Sequence, residues 1–74
     1  MTKNSERQRL QVQALEIAPD DHYEVVKFTA EEIGDSVYIT RAYVPLHARN
    51  VRYFECWSVG PRGGAKLRSK TFSY

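Results

Sequence analysis

Between Tyr23 and Tyr74 the chain is built from four runs of β-branched and aromatic residues separated by clusters of turn formers, a pattern that constrains it to a strand-rich fold. Residues 23–29 and 37–44 read as a hairpin closed by residues 30–36. Residues 45–50 then connect to a second hairpin, strands 51–59 and 65–74. Its loop, Gly60-Pro61-Arg62-Gly63-Gly64, has glycines that can take the positive φ a short turn demands.

Residues 10–18 admit two readings. Leu10, Val12 and Ala14 alternate with Gln11 and Gln13 as in a half-buried strand, which is the favoured reading, and Ala18-Pro19-Asp20-Asp21 supplies the turn after it. Alternatively, Ser5 and Gln8 form a capping box before a helix with Leu10, Ala14 and Ile17 on one face, which leaves Val12 pointing away. The expected fold is mainly β, a small antiparallel meander of four to five strands with a barrel-like curl. The alternative is α+β, an N-terminal helix packed on a four-stranded antiparallel sheet. Length and strand count suit SH3-like or Sm-like small barrels, but no motif specific to either is present.

Seventy-four residues leave room for one domain, residues 10–74, behind a polar N-terminus, residues 1–9, read as mobile. A core of this size rarely supplies more than about 3–5 kcal/mol, and a single cysteine excludes an internal disulfide, so self-association into a homo-oligomer is expected to help. Cys56, in an apolar strand, reads as a small buried hydrophobe in a reducing compartment. The first residues lack the apolar stretch of a signal peptide and no run approaches a membrane span, so the expected address is cytoplasmic, with no membrane partner.

The net charge of +2 conceals a division. Residues 1–36 hold four basic and eight acidic groups, whereas residues 37–74 hold seven basic groups and one acid, Glu55. Such a split gives the surface an electrostatic direction suited to an acidic partner, unless the halves interleave and neutralise each other.

A constant register with Val59 opposite Ala65 sorts the second hairpin into two faces. Val51, Tyr53, Trp57, Val59 and Leu67 form the expected core side, with Glu55 among them. The other side carries Arg52, Phe54, Cys56 and Ser58 with Lys66, Arg68, Lys70, Phe72 and Tyr74. Cations that neutralise phosphate beside rings that stack on bases are what a nucleic-acid-binding sheet needs. Lys66, Arg68 and Lys70 would equally guard a sheet edge against unwanted pairing. Arg62 in the glycine loop and Arg49 in the connection complete the candidate set. Leu46, in the same connection, is expected to pack on the core. The loop is not a nucleotide-binding P-loop, since a strand follows it and no Ser or Thr follows Lys66.

Catalytic chemistry is poorly represented. Nothing in the spacing sets His22 or His47 beside Cys56, and Asp20, Asp21 and His22 fall short of a metal-ligand set, so no enzyme, metal or cofactor is expected. The leading expectation is a small nucleic-acid-binding protein. The alternatives are a regulator or inhibitor docking on a larger complex, such as a nucleic-acid-processing machine, and a homo-oligomeric structural module.

Overall fold

The computed structural model describes residues 6–74, and its elements follow the order α1 (Glu6–Leu15), β1 (Tyr23–Ile33), β2 (Ser36–Pro45), β3 (Arg52–Val59) and β4 (Ala65–Ser73). The strands form one antiparallel sheet in sequence order, β1-β2-β3-β4, and the sheet stays open. The molecule is a plate of 45 × 20 × 15 Å, about as thick as one sheet with a helix on it. Among the described residues no helix is long and apolar enough to cross a membrane.

The strand reading of residues 10–18 is overturned. Residues 6–15 are helical, which starts the helix inside the segment read as a polar N-terminus, and Ser5 of the expected capping box lies outside the described residues. Glu, Arg, Gln, Leu and Ala are good helix formers, yet ten residues are too few for a helix to persist alone in water. Docking decides the matter. The helix face is Gln8, Val12 and Leu15, while Leu10 and Ile17, expected inward, are exposed. Gln8 is only 1% exposed, and the two hydrogens of its Nε2 are shared among the carbonyls of Asp35 (2.9 Å), Val59 (3.2 Å) and Gly60 (3.0 Å). It thereby pins the helix start to both hairpin turns.

Leu15, Val37, Ile39 and Val59 form the core, with Val12, Phe28, Trp57 and Ala65 packed around them. All the strand members project from the face that carries the helix. The first hairpin is tighter than expected. Its strands extend to Ile33 and from Ser36, leaving the two-residue turn Gly34-Asp35, with Gly34 at φ 65° in the first position as a II′ turn requires. Leu46 does not pack inward and is exposed.

The two positive-φ glycines differ in what surrounds them. A Cβ on Gly34 would meet nothing within 4 Å, whereas one on Gly63 (φ 91°) would come within 2.7 Å of Arg7 Cβ and 3.1 Å of Arg7 backbone carbon, on the docked helix. Gly34→Ala is therefore expected to cost about 1–2 kcal/mol of unfolding free energy and Gly63→Ala about twice that. Urea denaturation of the two variants checks the order. Equal losses would mean that the helix does not press on the second hairpin loop.

Candidate nucleic-acid interface

The second hairpin does not keep one register. Val59, Ser58 and Trp57 pair with Ala65, Lys66 and Leu67, after which Cys56 pairs with Ser69, leaving Arg68 as the extra residue of a β-bulge. A bulge shifts the side-chain alternation by one place, so everything beyond it changes face. The single basic and aromatic face expected from a constant register is therefore divided. Lys66 remains on the open face with Arg52, Phe54, Cys56 and Ser58, but Lys70 and Phe72 turn to the helix-bearing face beside Glu55 and Tyr53.

The consequence is an aromatic row across all four strands. On the helix-bearing face, beyond the end of the helix, Tyr23, Tyr43, Tyr53, Phe72 and Tyr74 follow one another with ring centroids 5.2 to 5.9 Å apart. Tyr43 and Tyr53 are stacked, the outer contacts are edge-on or tilted, and Lys70 Nζ stands 5.9 Å above the Tyr53 ring. Exposure rises toward the β4 edge: Tyr43 is buried, Tyr53 half-buried, Phe72 56% exposed and Tyr74 87% exposed. The free ring surface is thus gathered at the end of β4.

Between that row and the core lies a polar centre. Glu55, 4% exposed, accepts hydrogen bonds from Arg41 Nη2 (2.6 Å) and Nε (3.1 Å), Tyr43 Oη (2.6 Å) and Trp57 Nε1 (2.8 Å), and Lys70 Nζ stands 3.9 Å away. Arg41, 6% exposed, also donates Nη1 to the carbonyls of Leu15 (3.4 Å) and Ile17 (2.8 Å) at the helix C-terminus. Burial opposes ionisation of Glu55. The hydrogen bonds from Tyr43, Trp57 and Arg41, with the Arg41 charge, outweigh it and hold the carboxyl below its usual value. For Tyr43, burial and the hydrogen bond to Glu55 both push the phenol well upward, so it keeps its proton and donates.

The remaining candidates occupy the rim. Arg52 is exposed, and with Arg49, Asn50, Phe54, Ser73 and Tyr74 it lines an open cleft of about 270 Å³ at the sheet end. Arg49 is held there by Glu24, with Nη2 2.8 Å from the carboxylate. Arg62 is exposed in the glycine loop, at the opposite end of the sheet from this cleft. Cys56 is exposed, contrary to its reading as a buried hydrophobe, because no element among the described residues covers the open face. His22 bonds to Asp20 at an exposed site, and no group of His, Cys, Asp and Glu suited to a metal occurs among the described residues.

Sequence reasoning set Glu55 on the inward side of the second hairpin but missed Arg41 and Tyr43 as its partners. The signal was present, since the only acid of residues 37–74 sits at an inward strand position, where an unpaired carboxylate would be untenable. No protein family, curated protein or solved structure matches this chain. Among the described residues, a four-stranded open meander with one short helix is the class of architecture the structure defines.

The lowered pKa of Glu55 has a definite pH consequence. The unfolded chain takes up the proton first as pH falls, so the contribution of Glu55 is complete above about pH 4.3 and is lost as pH drops through the lower folded value. Glu55→Gln is expected to cost about 3–5 kcal/mol near neutral pH by leaving Arg41 buried without its counter-charge, and Tyr43→Phe about 1–3 kcal/mol. Denaturant unfolding between about pH 7 and pH 3 checks both, with the wild-type acid slope reduced in Glu55→Gln. An unchanged slope would assign acid sensitivity to other carboxylates.

Proposed function

We propose that this protein is a non-enzymatic binding module that engages nucleic acid along the β4 edge of its sheet, in the cytoplasm and without a cofactor. The observation that supports this most is the composition of that edge. Lys66, Arg68 and Lys70 share β4 with no acidic residue, and the strand runs into the two most exposed rings of the aromatic row, Phe72 and Tyr74.

The bulge changes how such a surface would work. The cations wrap around the edge, with Lys66 toward the open face, Lys70 toward the helix-bearing face and Arg68 at the bulge between them. A phosphate backbone following the edge meets charges on both sides, while bases turn onto Phe72 and Tyr74. Arg49, Arg52 and Phe54 extend the site into the cleft at the sheet end, and Arg62 extends it toward the glycine loop. Glu31 and Glu32 lie on β1, at the far edge, where they repel a polyanion and so orient it, whereas Glu24 is paired with Arg49.

A second reading, docking on a protein by strand addition, is favoured by one observation: among the described residues β4 is an edge strand whose outer side has no neighbour in the sheet. Binding assays separate the two. With a labelled oligonucleotide, affinity is expected to fall steeply with salt, and Lys66→Gln or Arg68→Gln to reduce the log–log salt slope by about 0.7–0.9 each. Phe72→Ala and Tyr74→Ala are each expected to cost about 1–3 kcal/mol with the slope unchanged. Absence of binding at low salt, or binding indifferent to salt, overturns the nucleic-acid reading and leaves strand addition.

A further inference from the structure

The sheet ends in two unlike edges. The first strand carries Glu24, Glu31 and Glu32 against Lys27, with Asp20, Asp21 and Asp35 flanking it, whereas β4 carries only cations. Among the described residues neither strand has a neighbour on its outer side, and α1 lies over β2 and β3. Pairing β1 with β1, or β4 with β4, would set like charges together. Unlike edges attract.

The strand registers make the match specific. They define rows across the sheet: Glu31, Tyr38, Ser58 and Lys66 share one, Phe28, Arg41, Glu55 and Lys70 another, and Val25, Tyr43, Tyr53 and Phe72 a third. Three successive antiparallel pairings leave β4 antiparallel to β1. A second copy displaced sideways with its rows level therefore presents its β1 antiparallel to β4 of the first.

We propose that the protein associates head to tail with further copies of itself, β4 of one copy pairing with β1 of the next to extend the sheet. In that arrangement Lys66 faces Glu31 of the second copy, and the exposed Phe72 and Leu67 face Val25 and Ala30. Lys70 comes opposite Phe28. No row that runs through all four strands brings two cations or two anions together. The bulges at Val26 and Arg68 fall between different rows, so neither extra residue meets the other. The contact is heterologous, so it propagates into a chain or closes into a ring. It uses the edge assigned above to nucleic acid, and the two exclude each other on any one β4. The arrangement does not depend on that reading, and its test uses protein free of nucleic acid.

Sedimentation or light scattering at low salt is expected to give a mass that rises with concentration above the 8.6 kDa of one chain. Lys66→Glu and Glu31→Lys, both at exposed positions, are each expected to raise the concentration for half-assembly about tenfold, since each sets like charges across the junction. The double variant Lys66→Glu/Glu31→Lys restores assembly. Only a β4-to-β1 contact predicts that rescue, because in a β4-to-β4 contact the double variant behaves as Lys66→Glu alone. A monomer at every concentration, single variants that assemble like wild type, or a double variant that is folded by circular dichroism but not rescued would each overturn the proposal.

Discussion

The buried pair of Arg41 and Glu55 is the interaction on which the rest of the molecule depends. It sits in the two central strands, in the same cross-strand row, and everything on the helix-bearing face is arranged around it. Taking two charges out of water costs several kcal/mol per ion, so such a pair is tolerated only where its remaining donors and acceptors are satisfied. Here they are. Tyr43 and Trp57 complete the carboxylate, and the guanidinium spends its spare N–H groups on the two carbonyls that end the helix. One charged pair thereby joins sheet to helix, and its positive end lies where the helix dipole favours a cation.

On either side of this centre the same face has two characters. Toward the hairpin turns it is apolar and covered, with Ile39 and Val59 under Val12 and Leu15, and Gln8 closing the end through three carbonyls. Toward the other end it is aromatic and progressively bare. The difference follows from helix length, since ten residues span about 15 Å and cannot cover strands of eight to eleven residues. The uncovered length is where the rings stack on one another instead of on a second layer. Small size thus leaves surface open, and that surface carries the proposed binding site.

The bulge at Arg68 connects the fold to the proposed function. One extra residue turns what would be a flat basic face into a basic edge, and moves Lys70 and Phe72 next to Glu55 and Tyr53. The charge split between the halves of the chain becomes a split between the edges of the sheet, because a meander in sequence order holds its first and last strands farthest apart. Topology therefore keeps the charges of β1 and β4 apart, while Glu24 and Arg49 pair across the two halves at an exposed site.

Much of this was legible in the chain itself. The β-branched and aromatic runs with their glycine-bearing turns determined four strands, the second hairpin loop at residues 60–64 and the segregation of charge, since strand propensity and turn chemistry act over neighbouring residues. Other features were decided only by contacts between residues far apart in sequence. The ten-residue helix exists because Gln8 reaches carbonyls 27 to 52 positions away, and an apolar count along residues 10–18 cannot register a buried glutamine. The face that each β4 side chain occupies depends on a bulge that alternation does not reveal, and the partner that lets Glu55 be buried, Arg41, stands fourteen residues earlier on another strand. Local propensity could specify the strands. Which polar groups could be buried, and which rings left bare, was settled by the partners that the tertiary structure brought to them.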